Sequence, residues 1–299
     1  MIMGRFRPKS ALSQTILDSP AKSGTIYPLY GTADNLAGVS AVCSNNVFGT
    51  GWITMKSVSV IICAAGASAR FGGDKKKPFV ELGGRAAFLR SIEAFANRDD
   101  VKQVLLCISP EDDELVRIKW GPTMGFYGVK IVHGGRERFE TVANAIAKVS
   151  PDAEFIAVHD SVRCCITEAW INQVFQKAAE TGAAILACPV NGTLKRVQNS
   201  LIQQTVDRTN LWEAQTPQVF SADLLRKAYA NLPNLNASTI TDDAMLVESL
   251  GHPVSIVETD YTNLKITRKA DVPIAEAILE SRPKPKPQGP TGPYIEAQW

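Results

Sequence analysis

SVSVIICAAGASARFGGDKKKPFVEL, residues 57–82, is the stretch around which the chain is organised. Val58 to Cys63 is apolar except at Ser59, the pattern of a strand buried on both faces of a parallel sheet. The run then narrows to Ala64, Ala65 and Gly66, so nothing bulky guards the strand end and a ligand can approach the backbone. The loop that follows carries Gly72 and Gly73 together with the cations Arg70, Lys75, Lys76 and Lys77. On residue chemistry alone it reads either as a polyphosphate cradle or as a solvated basic turn. It has neither the GxxxxGK[ST] spacing of a P-loop nor the GxGxxG spacing of a dinucleotide fold.

Length and composition bound the rest. A chain of 299 residues, 45% hydrophobic and with a net charge of +2, suits one sizeable core or two small ones. The near balance of charge argues against a broad nucleic-acid footprint and makes a small anion the better partner for the cations near Lys77. No stretch is long and apolar enough to span a membrane as a helix. The six cysteines lack metal-ligand spacing, and Cys63, Cys107 and Cys188 lie in or beside apolar runs, which fits free thiols in a reducing compartment. The neighbours Cys164 and Cys165 read as packing residues rather than as a redox pair.

Along the chain, residues 1–54 are basic and acid-poor without periodicity, and are expected to be a disordered or targeting extension preceding a natural start at Met55. From the opening strand onward, helical and strand patterns alternate. A helix is expected around Phe88 to Phe95, a strand at Val104 to Ile108, and a helix opened by Ser109, Pro110 and Asp112. A strand at Val129 to Val132, a helix near Val142 to Val149, and strands at Phe155 to Val158 and Leu186 to Val190 follow. Residues 195–208 show no clear helix and read as an extended excursion, with Thr216, Pro217 and Gln218 returning the chain to the core. Ser221 and Thr241 look like helix caps, Asn263 to Thr267 like a last strand, and Asp271 to Leu279 like a last helix. Residues 282–299 are proline-rich and expected to be a flexible tail. The order predicts an α/β fold, a Rossmann-like, mostly parallel sheet with helices on both faces, and ligands beyond the strand ends at Gly66, Gly134, Gly135 and Asp160.

From Ser57 to about Ser281 the chain resembles the 2-C-methyl-D-erythritol 4-phosphate cytidylyltransferases of the non-mevalonate isoprenoid pathway. The resemblance rests on ordered blocks: AAGASARF and KKPF, GGRERFETV from Gly134, VHDSVR from Val158, PVNGTLKRV from Pro189, TVDRTNLWEAQTPQVF from Thr205, TITDDA from Thr239 and TNLKIT from Thr262. It implies a cytidylyltransferase domain over residues 55–281, with a β-arm at about 190–208 that dimerises the protein. It also implies transfer of a cytidylyl group from CTP to a sugar-alcohol phosphate, with Mg²⁺ or a similar divalent cation.

By the same resemblance, Arg70 and Lys77 are the catalytic cations, while Lys75 and Lys76 contribute only to the field. Ala64, Ala65, Gly66, Gly134, Gly135 and Thr141 bind CTP, and Asp160 lies near its hydroxyls and the metal, which the nucleotide phosphates mainly hold. Arg163, Thr193, Arg208, Thr239 and Lys265 serve the acceptor, with Thr193 and Arg208 bracketing the arm. Read as plain residues, Lys77 could be half of a surface charge pair and Asp160 a buried carboxylate bonded to backbone. His159 adjoins a buried strand and is not assigned as an acid or base. Gly192 and Cys164 depart from residues the family commonly carries, Asp and Pro, which touches loop geometry more than reaction class. The rival readings are a ribitol 5-phosphate cytidylyltransferase and a nucleotide-binding regulatory protein without turnover. The expected location is the cytoplasm, or an organelle stroma if residues 1–54 are a transit peptide.

Overall fold

The computed structural model describes residues 57–283 apart from 67, 69, 70 and 73–75. The expected extension, most of the expected tail, Arg70, Gly73 and Lys75 therefore lie outside the described residues. The elements run β1 (Val58–Cys63), β2 (Glu81–Leu82), β3 (Arg85–Ala86), α1 (Ala87–Ala96), β4 (Val101–Ile108), α2 (Asp113–Phe126), β5 (Lys130–His133) and α3 (Arg138–Ile146). They continue as β6 (Phe155–Asp160), α4 (Glu168–Thr181), β7 (Ala183–Pro189), β8 (Leu194–Gln198), β9 (Leu201–Val206), β10 (Trp212–Ser221), α5 (Ala222–Ala230), α6 (Asp243–Glu248), β11 (Ser255–Glu258) and α7 (Asp271–Ser281).

A seven-stranded sheet has the order β11-β7-β10-β6-β1-β4-β5, with β10 antiparallel to both its neighbours and every other pairing parallel. β1 sits inside it, which is why its residues are apolar on both faces. Val60 and Ile62 pack towards α1, α2 and α4, while Ile61 packs with α3, α5 and α6 on the other face. A third cluster covers the loop after β6, where Cys164 and Cys165 are buried with Val162, Leu82, Ile266 and Ala275 of α7. Packing accounts for both thiols. Among the described residues no helix is long and apolar enough to cross a membrane.

Several local expectations are corrected. Ser109 precedes a 3-10 turn, Pro110–Asp112, but caps nothing: its hydroxyl donates to Ala65 O at 2.8 Å. Ser221 stands at the start of α5 without a side-chain capping bond. The cap of α6 is Asp242, whose carboxylate accepts from Met245 N, whereas the Thr241 hydroxyl meets Met245 Sδ. Residues 263–267 are no strand. Asn263 is buried and donates to Gln215 Oε1 and Thr216 O, and Ile266 N bonds Val162 O, so the segment is pinned bond by bond across the β6 loop instead of joining the ladder. The last strand is β11, and α4, capped by Thr167, is a further helix that the sequence pattern did not single out.

The expected excursion is a hairpin. β8 and β9 pair with each other, and Asn199 and Ser200 at its tip have φ of +51° and +62°, the left-handed geometry that a two-residue turn needs to match strand twist. Leu194, Val197, Leu201 and Ile202 are exposed on it.

Arg282, just past the expected end of the domain, is tied to the fold. Arg282 Nη1 donates to Ile166 O at 3.2 Å and its guanidinium lies 5.8 Å from the centre of the Trp170 ring. A chain of residues 55–283 should therefore unfold cooperatively, whereas one ending at Ser281 should lose about 1 kcal/mol, the net worth of such a bond. Urea denaturation of the two checks this; equal midpoints would show that Arg282 contributes nothing.

Candidate active site

All the parallel strands release their chain at one sheet edge, and the motif residues meet there. The end of β1, the end of β6, the start of α3, the 3-10 turn at Lys77–Phe79 and the segment around Lys265 enclose a cavity of about 250 Å³. Ala64, Ala65 and Gly66 line its β1 side. Cys63 adjoins them, but burial pushes its thiol pKa up to about 12, so it stays protonated.

Gly134 and Gly135 pack the α3 side too tightly for any side chain. A Cβ on Gly134 would lie 2.4 Å from Ala65 Cβ, and one on Gly135 would lie 2.4 Å from Glu140 Cβ. The Thr141 hydroxyl is committed to this turn, accepting from Gly135 N at 3.0 Å and facing Glu137 O at 3.2 Å. Glu140 reaches back to the N–H groups of Arg136 and Glu137, which completes a capping box with Glu137.

Asp160 is the electrostatic centre. Its side chain is 9% exposed, and Lys265 Nζ lies 2.5 Å from Oδ2, Arg138 Nε 3.4 Å from Oδ1 and Arg163 Nε 4.0 Å from Oδ2. Burial alone would raise its pKa, but Lys265, Arg138 and Arg163 outweigh burial and hold the carboxyl well below the usual carboxylate range. Arg138 is in turn fixed by the fully buried Asp243, from Nη1 to Oδ2 at 2.8 Å, and Asp243 accepts from Tyr229 OH at 2.6 Å. Reading the residues alone gave Arg138 no role. A signal was present, since a cation in the first helical turn opposes the macrodipole and needs another reason to be there.

Lys77 lines the cavity, and its N–H donates to Ser68 Oγ at 3.1 Å. Lys76 does not merely add to the field. Its ammonium is bonded to Glu111 Oε1 at 2.7 Å and to Asp112 Oδ2 at 2.9 Å. Burial works against its charge, but the bonds to Asp112 and Glu111 prevail and raise its pKa.

The structure thus gathers Ala64, Ala65, Gly66, Lys77, Gly135, Thr141, Asp160 and Lys265, with Gly134 packed directly behind. It does not gather the others. Arg163 is 5% exposed and does not line the cavity, donating to Asn263 O at 2.7 Å and lying 3.9 Å from Glu213. Thr193 and Arg208 flank the exposed hairpin, and the hydroxyl of Thr239 is turned to Asn236 O in an exposed 3-10 turn.

Among the described residues no group of three or more His, Cys, Asp or Glu could hold a metal ion. Asp160 is a carboxylate at the cavity wall, which fits a magnesium ion shared with substrate phosphates and mostly hydrated, and not one caged by protein.

His159 faces the interior one residue before Asp160. It is fully buried, its Nδ1 lies 3.2 Å from Thr216 Oγ1, and its ring meets Phe95 edge-on. Burial pushes its pKa down to about 3, so the unfolded chain takes up a proton that the folded protein refuses. Stability is then complete above about pH 6.5 and falls as pH drops from there towards 3. Going from about pH 6.5 to about 5.5 should cost about 1 kcal/mol, and His159→Gln should flatten that slope. Denaturation midpoints measured at both pH values test this; an unchanged slope in the variant would contradict it.

The family model for IspD, 2-C-methyl-D-erythritol 4-phosphate cytidylyltransferase, matches residues 58–281. The protein of that name from Rhodopirellula baltica is 42% identical over 234 residues, covering 75% of this chain and 95% of its own. That from Endomicrobium trichonymphae is 42% identical over 224 residues, covering 75% and 99%. Among solved structures, a 4-diphosphocytidyl-2C-methyl-D-erythritol synthase is 32% identical with a TM-score of 0.62, covering 76% of this chain and 100% of its own. The 2-C-methyl-D-erythritol 4-phosphate cytidylyltransferase from Thermus thermophilus is 30% identical with a TM-score of 0.60, covering 74% and 98%. With a matched model across the whole described fold and relatives at this identity, the chain belongs to the 2-C-methyl-D-erythritol 4-phosphate cytidylyltransferase family.

Proposed function

We infer that the protein transfers a cytidylyl group from CTP to 2-C-methyl-D-erythritol 4-phosphate, forming 4-diphosphocytidyl-2-C-methyl-D-erythritol and pyrophosphate in isoprenoid precursor synthesis. The observation that carries this reading is the cavity itself. Small residues and glycines leave room for a base and sugar, and Lys77, Lys265 and Arg138 bring cations to the same cavity.

In the reaction a phosphate oxygen of the acceptor attacks the α-phosphorus of CTP, a new P–O bond forms, and the bond from the α-phosphorus to the bridging oxygen breaks to release pyrophosphate. A phosphate monoester is largely ionised at neutral pH, with a second pKa near about 6, so no general base is required. The buried, neutral His159 accords with that. The work left to the protein is alignment and charge stabilisation. Lys77 and Arg70 serve the transferring phosphoryl group, Gly134, Gly135 and the Thr141 turn present backbone groups to the cytosine, and Lys265 meets the acceptor phosphate. Magnesium held by Asp160 and the phosphates would neutralise the triphosphate and polarise the α-phosphorus.

Thr193, Arg208 and the hairpin supply what this chain's cavity lacks. In our reading the exposed apolar hairpin pairs with a second copy, and its Thr193 and Arg208 complete that copy's acceptor site. Arg163 then acts by bracing the β6 loop against the foot of the hairpin at Ala214, at 3.4 Å, instead of touching the acceptor. Soluble anionic substrates and free buried thiols suit a reducing compartment, the cytoplasm or a stroma.

The test is pyrophosphate release from CTP and magnesium with methylerythritol phosphate or ribitol 5-phosphate as acceptor. Release with the first alone is expected; release with ribitol 5-phosphate alone, or with neither, would overturn the reading. Lys77→Ala should lower turnover by about a hundredfold, the loss typical of a preorganised transition-state donor. When Lys77→Ala and Arg208→Ala chains are co-refolded, mixed dimers keep one intact site, so roughly a quarter of parent activity should return. Subunit exchange without recovery would reject the shared site.

A further inference from the structure

We propose that Lys76 is a positioning residue: its ion pairs with Glu111 and Asp112 clamp the far end of the glycine loop to the β4–α2 connection and so set where Lys77 is presented to the nucleotide phosphates. The inference rests on the cytidylyl-transfer reading of the cavity. Lys76, Glu111 and Asp112 themselves stand outside that cavity's lining.

An exposed lysine pair is ordinarily worth about 0–1 kcal/mol and explains little. This one differs in its surroundings. The Asp112 side chain is 9% exposed and that of Lys76 26%, so a neutral residue at 76 would leave a nearly buried carboxylate without its cation. The same connection also holds the loop's other end, because Ser109 donates to Ala65 O at 2.8 Å. A short turn after β4 therefore grips the chain both where it leaves β1 and where it returns.

Lys77 is anchored on both sides by that neighbourhood. Before it stands the Lys76 pair; after it Phe79 is buried, stacked on Trp120 of α2 at 5.4 Å between centroids and edge-on to Phe88 at 5.7 Å. Phe79 N donates to Lys76 O at 3.0 Å and Lys77 N to Ser68 Oγ at 3.1 Å, which closes the turn on itself. With its backbone so restrained, Lys77 projects its side chain from a fixed position. A displacement of about 1 Å in such a group can cost orders of magnitude in rate, so a clamp worth little in stability can matter greatly in turnover.

The experiment compares Lys76→Met, Lys76→Arg and Asp112→Asn in the full chain by steady-state kinetics and by amide hydrogen exchange of the Lys77–Val80 segment. Lys76→Met should lower kcat about tenfold with KM for the acceptor unchanged, and should quicken exchange in that segment about tenfold while leaving β4 unchanged. Lys76→Arg should restore both, and Asp112→Asn should reproduce the Met phenotype if Lys76→Met folds poorly. Because Lys76 acts through Lys77, adding Lys76→Met to Lys77→Ala should lower kcat no further. An equal further fall, or normal kcat and normal exchange in both Lys76→Met and Asp112→Asn, would overturn the clamp. Exchange changes in a parent that transfers nothing would uphold the clamp and defeat the reaction assigned to the cavity.

Discussion

The cavity depends on one nearly buried carboxylate. Asp160 holds Lys265 and Arg138 from two distant parts of the chain and Arg163 from its own loop, and without its charge those cations would repel one another across the same few ångströms. Each cation has a further restraint: Arg138 is tied to Asp243, Arg163 to Asn263 O, and Lys265 sits in a segment pinned by Asn263 and Ile266. The result is a set of positive groups organised before any anion arrives. Preorganisation of that kind is what transition-state stabilisation of an already ionised nucleophile requires.

The fold serves this arrangement through its edge. Parallel β1, β4, β5 and β6 all end on the same side, so a strand end of small residues, a glycine turn and an acidic residue converge although they are far apart in sequence. The antiparallel β10 breaks the pattern for a visible reason. It returns from the hairpin, and its Thr216 accepts from Asp160 N at 3.0 Å and faces His159, so the strand that leads away from the arm also fixes the end of β6. Hairpin and cavity are thereby mechanically joined.

Much of this could be read from residues. The two-faced apolar run at Val58–Cys63 and the small residues after it could hardly be anything but a central strand opening on a ligand, and α1 announced itself through its periodic Phe88, Leu89, Ile92 and Phe95. What escaped was whatever depends on a distant partner. Leu264 and Ile266 alternate like strand residues, yet Asn263 decides the segment by burying its amide against Gln215. The resemblance alone puts Arg163 at the acceptor, and its burial against Asn263 O has no local sequence signal. Arg138 and Lys76 owe their meaning to Asp243 and Asp112, 105 and 36 residues away. Local pattern does not name such partners, and only the place of Arg138 in the first turn of α3 hinted at one.

The central claim is that Asp160 holds Lys265 and Arg138 in place before a substrate anion arrives. The most direct measurement is calorimetric binding of pyrophosphate, without divalent cation, to the parent protein and to Asp160→Asn. Although the variant gains positive charge, losing the group that gathers Lys265 and Arg138 should weaken binding by about tenfold, or about 1.4 kcal/mol. Binding that is unchanged or tighter in Asp160→Asn would mean that the carboxylate does not organise these cations, and the account would fail.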